Sequence, residues 1–164
     1  MPSRTLSIAL LAANPAFCGI LARALEHDGG HRVASFDGIE ALTTHLRITP
    51  VDVVVLDTEL PGAPAIDIAR GLRGHLKLAS DDFAIVALTR AQLPFHRPLL
   101  AAGIDAVLQK PVTPTRLLGV VEEFGEPQRK VAVGDAPMMP AFHQAAPVRT
   151  GNVIPLFGEG RRPR

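Results

Sequence analysis

Val51-Asp52-Val53-Val54-Val55-Leu56-Asp57 is the stretch that decides the fold. Its β-branched residues favour a strand, and apolar side chains at four consecutive positions, 53–56, fall on both faces of it. A strand buried on both faces belongs to a parallel sheet covered by helices. The run ends in Asp57, which brings a carboxylate to the carboxyl edge of that sheet, where ligands of such folds gather.

The flanking sequence agrees. Upstream, Leu6–Leu11 reads as a first buried strand, punctuated by Asn14-Pro15. Phe17, Ile20, Leu21, Ala24 and Leu25 then recur at spacings of three and four, one face of a helix that Gly29-Gly30 ends. His31–Phe36 reads as a strand, Asp37-Gly38 as a turn, and Ile39–Leu46 as a short helix closed before Pro50. Downstream of a loop with Pro61, Gly62 and Pro64, Ile68, Leu72 and Leu76 trace a helix, and Phe83–Leu88 forms a fourth strand. Residues 91–102 carry a helical pattern interrupted by Pro94 and Pro98, each of which removes a donor. Ala106–Gln109 is a fifth strand. Thr113-Pro114 opens the last helix, whose apolar side is Leu117, Leu118, Val121 and Phe124. Five β-α repeats imply an α/β, flavodoxin-like (βα)5 fold: a doubly wound parallel sheet with right-handed crossovers. The places to look for chemistry are after Leu11, at Asp57, after Leu88 and after Gln109.

Composition narrows the class. The chain has 164 residues, 47% hydrophobic and 20% charged, enough for one well-filled domain with some chain to spare. A net charge of +1 excludes a strongly basic nucleic-acid protein. The average hides an asymmetry: residues 1–126 carry 11 Lys/Arg against 14 Asp/Glu, and 127–164 carry 6 against 2. Cys18 is the single cysteine, which excludes an intramolecular disulfide framework and a multi-cysteine zinc site and fits a reducing, cytoplasmic compartment. At the start of a helix it reads as a small buried hydrophobe. The absence of Trp and Tyr argues against an aromatic platform for nucleic acid or sugar. No apolar run approaches the roughly 18 residues of a membrane span. Arg4 before the apolar Leu6–Ala13 run has the order of a signal peptide, but Asn14-Pro15 and the helical pattern behind it favour a strand. His27 and His31 are four apart, yet Gly29-Gly30 breaks the helix that would align them as a metal pair. His45, His75, His96 and His143 are scattered. No Ser/His/Asp set, phosphate-cradling glycine loop or Cys-x-x-Cys is present.

Several segments stand in a suggestive order: Asn14-Pro15, Phe36-Asp37-Gly38-Ile39-Glu40-Ala41-Leu42, Asp52–Asp57 with Leu60-Pro61-Gly62, Ala87-Leu88-Thr89, Ala101–Asp105, and Gln109-Lys110-Pro111-Val112. Together they resemble the response-regulator receiver domain, the phosphoryl-accepting module of two-component and phosphorelay signalling, across Leu6 to Phe124. The resemblance implies that Asp57 takes a phosphoryl group from a histidine kinase. It implies that the Thr89 hydroxyl and the Lys110 ammonium hold that group and report its presence. It also implies a signalling module rather than an enzyme, with a histidine kinase or phosphotransferase as protein partner. Read without the resemblance, Asp57 is a strand-end carboxylate capping a loop.

Two positions depart from the family. Where receivers carry two adjacent acidic residues that gather Mg²⁺, this chain has Ala12 and Ala13. Magnesium needs hard oxygen ligands, and phosphoryl transfer depends on positioning and on neutralised charge, so the loss removes much of the catalysis. Glu59 either lends a weak metal contact or is a solvated loop charge. With Asp57 and Lys110 alone the pocket is near neutral, and Lys110 is expected to pair with Asp57 and hold one state without metal. Val107 stands where receivers commonly have the Tyr or Phe that turns with the hydroxyl.

The expected organisation is a receiver-like domain over 5–125 and a flexible basic tail over 126–164. Six prolines, four glycines and no periodicity mark residues 127–164, which read either as a solvated, disordered extension or as the carrier of a short docking motif, with Val153, Ile154, Leu156 and Phe157 as apolar anchor beside Arg161-Arg162. The expected function is a stand-alone, degenerate receiver working through protein contacts, with weak or absent phosphorylation at Asp57. It has no resident cofactor, weak or absent Mg²⁺ binding, and no membrane, nucleic-acid or small-molecule partner. Three alternatives stay open: a phosphorylation-competent single-domain regulator, a small-molecule binder on a flavodoxin-like sheet, and a nucleic-acid regulator using the basic tail.

Overall fold

The computed structural model describes residues 4–74, 77–92 and 94–125. Five strands, β1 (Ser7–Leu11), β2 (Arg32–Phe36), β3 (Val53–Asp57), β4 (Ala84–Thr89) and β5 (Ala106–Gln109), form one parallel sheet in the order β2-β1-β3-β4-β5. Helices α1 (Pro15–His27), α2 (Ile39–Ile48), α3 (Ala65–Gly74), α4 (Arg97–Ala101) and α5 (Pro114–Gly125) alternate with them. This is the flavodoxin-like, doubly wound architecture expected. The chain reverses direction across the sheet at β1 and β3, which opens a crevice at their carboxyl ends.

Every residue of β3 is buried, as its unbroken apolar run requires. Its alternate side chains enter separate cores. Val54 and Leu56 pack with Leu42 and Leu46 of α2, Ile68 and Leu72 of α3, and Leu99 of α4. Val53 and Val55 pack with Leu21 and Leu25 of α1 and Leu117 and Val121 of α5. The strand-end residues after both layers are therefore held from above and below, which fixes the floor of the crevice.

Three sequence expectations need correction. On α1 the buried face is Cys18, Leu21 and Leu25, while Ile20 is exposed. That set follows spacings of three and four beginning at Cys18, not at Phe17, which lies half-buried at the helix start. The helix read over 91–102 contracts to Arg97–Ala101. Pro98 is tolerated there because it sits in the first turn, where a missing donor costs nothing, and the residues before it form turns. The fourth strand is shifted by one residue and takes in Thr89. Leu76, His75, His143 and the tail over 126–164, with Val153, Ile154, Leu156 and Phe157, lie outside the described residues. No helix among the described residues is long and apolar enough to cross a membrane.

Candidate functional site

The crevice is walled first by the turn after β1. Asn14 caps α1: its Oδ1 accepts from the backbone N–H groups of Ala16 and Phe17 at 3.0 and 3.1 Å, and Pro15 sits in the first turn. The cap turns the chain sharply, so Ala13, Asn14 and the Phe17 ring all face one cavity of about 600 Å³. Ala12 is buried beneath them and donates its N–H to the Phe36 carbonyl at 3.2 Å.

The opposite wall comes from the ends of β3, β4 and β5, which are neighbours in the sheet. Thr58 N–H donates to Leu88 O at 2.9 Å and Lys110 N–H donates to Thr89 O at 2.7 Å, so the three ends are tied. Asp57 Oδ1 accepts from Lys110 Nζ at 2.7 Å and from the Glu59 N–H at 3.0 Å. The ammonium reaches Glu59 Oε2 as well, at 2.8 Å, and lies 5.1 Å from the centre of the Phe17 ring. Glu59 Oε1 in turn stands 3.2 Å from Arg90 Nε. The peptide bond between Lys110 and Pro111 is cis.

Two tiers of charge result. Asp57 and Lys110 have side chains only 5% and 11% exposed, a desolvated pair whose members depend on each other. Glu59 and Arg90 are 40% and 77% exposed, an outer pair that water and salt screen. Two carboxylates face two cations, so the site is neutral as a unit. The Lys110 hydrogen bond holds the Glu59 carboxyl below its ordinary value of 4.5; partial desolvation opposes this, and the charges of Lys110 and Arg90 add to it. Lys110→Ala is therefore expected to raise the Glu59 titration midpoint toward 4.5, read from carboxyl ¹³C shifts against pH. An unmoved midpoint would contradict the pairing.

Sequence reasoning placed Asp57, Lys110 and Glu59 here, and the structure brings them together. Glu59 is no free loop charge, because it joins both cations. Thr89 is buried at the end of β4, with Oγ1 accepting from the Ala91 N–H at 3.0 Å, and it is not among the residues lining the cavity. Val107 packs into the core shared with α2, α3 and α4. Arg90 and Phe17 went unrecognised as site residues. Arg90 could have been found from its place directly after the β4 hydroxyl, at one of the strand ends already singled out.

Residues 8–122 match the family model of the response regulator receiver domain. The chain is 30% identical over 149 residues to the DNA-binding response regulator MtrA of Mycolicibacterium smegmatis, covering 87% of this chain and 62% of MtrA. It is 29% identical over 123 residues to the sensor histidine kinase GacS of Pseudomonas protegens, covering 74% of this chain and 13% of GacS. The chain thus spans less than two thirds of the length of these curated relatives. Among solved structures it is similar to the receiver domain of a sensor histidine kinase from Pseudomonas aeruginosa. The TM-score is 0.65 at 21% identity, over 76% of this chain and all of that one, and that structure holds a magnesium ion in its active-site cleft.

Proposed function

This chain belongs to the response regulator receiver family, and on that footing we propose that it is a degenerate receiver, locked by its own lysine and signalling through protein contacts. The family serves two-component and phosphorelay signalling, in exchange with histidine kinases and phosphotransferases. The observation that carries the narrower reading is Lys110 Nζ bridging Asp57 and Glu59 at 2.7 and 2.8 Å, beside an alanine wall.

A magnesium ion does not fit this donor set. It needs several hard oxygens at short distance, and both carboxylates at hand are already held by Lys110. The side chains of Ala12 and Ala13 offer no oxygen to replace them. Without a divalent ion, a phosphoryl group arriving at Asp57 would meet Lys110 and Arg90 alone as neutralising charge. Attack by the Asp57 carboxylate on phosphorus, as the donor's P–N bond (a phosphohistidine) or P–O bond (an acyl phosphate) breaks, would be made by an anion whose charge Lys110 already draws on at Oδ1. Acceptance at Asp57 is accordingly weak or absent.

The test combines two measurements on the wild-type chain. Amide NMR titration with Mg²⁺, then with beryllium fluoride, is expected to leave residues around Asp57, Thr89 and Lys110 unshifted. Labelling with acetyl phosphate, read by intact mass, is expected to be slow and indifferent to magnesium. Rapid labelling that requires magnesium would overturn the reading in favour of a phosphorylation-competent receiver.

A further inference from the structure

Between β4 and α4 the chain inverts the order that hydropathy alone would choose. His96 is 8% exposed, while Phe95 beside it is 68% exposed. A buried imidazole needs partners for its nitrogens and a phenyl ring needs none, so a hydrogen bond, not apolar burial, places His96. That bond joins Nε2 to the Ala91 carbonyl at 2.7 Å, five residues back along the chain. A carbonyl only accepts, so Nε2 carries the proton and donates it. His96 stands at the cap position of α4, yet its side chain makes no cap bond to the helix. Its ring is committed to the turn instead.

Ala91 is gripped from its other side as well. Its N–H donates to Thr89 Oγ1 at 3.0 Å, which folds the hydroxyl back onto its own loop. Such local hydroxyl-to-backbone bonds are weak by themselves. A buried donor on the Ala91 carbonyl is what keeps the residue in place. Between Thr89 and Ala91 lies Arg90, whose Nε stands 3.2 Å from Glu59 Oε1. Val107 on the neighbouring strand packs into the core and has no polar side-chain atom to offer the turn.

We propose that His96 is a positioning residue for the crevice. By holding the Ala91 carbonyl it keeps the Thr89 hydroxyl on the turn and sets the direction in which Arg90 leaves β4 toward Glu59. The hold acts from the far end of the turn, through Ala91, and touches none of the charged groups. Lys110 fixes the β3 and β5 side of the crevice, and His96 fixes the β4 side. The inference goes beyond the reading of a locked receiver, since it stands whether or not Asp57 accepts a phosphoryl group.

The first measurement uses the wild-type chain. Imidazole ¹⁵N shifts are expected to place the His96 proton on Nε2; a proton on Nδ1 alone overturns the proposal with no variant needed. Two variants then separate the bond from the packing. His96→Phe keeps a ring and loses the donor, while His96→Gln keeps an N–H donor at similar reach. In His96→Phe the Ala91 amide is expected to exchange with deuterium on the order of tenfold faster, the worth of one hydrogen bond. The side-chain couplings of Thr89 should become averaged over rotamers, and the Arg90 Nε–H signal should shift. Amides of β1 and β3 are expected to exchange at the wild-type rate. His96→Gln is expected to restore slow exchange at Ala91 and a single Thr89 rotamer. Local loosening that glutamine repairs supports the positioning role. Wild-type behaviour of Ala91 and Thr89 in His96→Phe overturns it. Loosening that glutamine leaves unrepaired, local or general, assigns the ring to packing alone and overturns it too.

Discussion

Lys110→Met is expected to lower folding stability by about 3–5 kcal/mol at neutral pH, the usual cost of removing one partner of a buried ion pair. The size of the effect comes from what remains. Asp57 has a side chain 5% exposed and would be left without the cation in contact, while Glu59 stands close by with the same sign. Methionine replaces the volume of the aliphatic stem, so the loss reports charge rather than a cavity. The loss is expected to shrink on acidification. In the wild type, Lys110 holds the Glu59 carboxyl below 4.5, so this carboxylate adds stability above that value and surrenders it as pH falls through the lowered one. In the variant only the Arg90 share of that contribution remains, so the gap between the two stability curves narrows at low pH. Urea unfolding followed by circular dichroism at several pH values measures this, since the chain has no Trp or Tyr for fluorescence. Adding Asp57→Asn should recover part of the loss. A variant as stable as wild type at neutral pH would show that the pair does not hold the crevice together.

The sheet and its ends were legible because they rest on local pattern. Val53–Leu56 could be buried on both faces only in a parallel, helix-covered sheet, and Asp57 had to emerge where that strand stops. Thr113-Pro114 marked the start of α5 for equally local reasons: the hydroxyl accepts from the Arg116 N–H at 3.3 Å, and proline fills the first turn. The extent of α4 was not legible, because its apolar spacing and its two prolines gave opposite signals over the same twelve positions. The charge arrangement was only half legible. Lys110 and Asp57 could be paired from the resemblance, but the Glu59–Arg90 contact joins residues in two loops that have no periodicity. It exists only because β3 and β4 are neighbours and Asp57 lies opposite Leu88 in the register. Pairing of that kind is a property of strand order, which a single sequence encodes through its whole topology rather than through any local signal.

Ala13→Asp is expected to make Asp57 labelling depend on magnesium and to speed it on the order of 10²-fold when the ion is present, the scale of one lost or gained charge-stabilising group at a reacting centre. The position is chosen on geometry. Ala13 is exposed and lines the cavity, so a carboxylate there stays solvated and costs little stability. Ala12 is the poorer choice for a single change: it is 2% exposed among Cys18, Val55 and Leu108, where an unpaired charge would be costly. Because β1 and β3 pair with Leu11 opposite Leu56, a side chain at position 13 lies just beyond Asp57 at the shared carboxyl edge. The new group turns a neutral set of two carboxylates and two cations into one with net negative charge. A divalent ion can then compete with Lys110 for Asp57 and Glu59, because it also gains a third oxygen ligand. The measurement is intact mass against time with acetyl phosphate, with and without Mg²⁺, alongside amide shifts of Asp57 and Lys110 on titration with the ion alone. Shifts without faster labelling would place the block at Thr89, whose hydroxyl is held by the Ala91 N–H. If the variant neither binds the ion nor labels faster, the alanine wall is not what keeps this receiver from accepting a phosphoryl group.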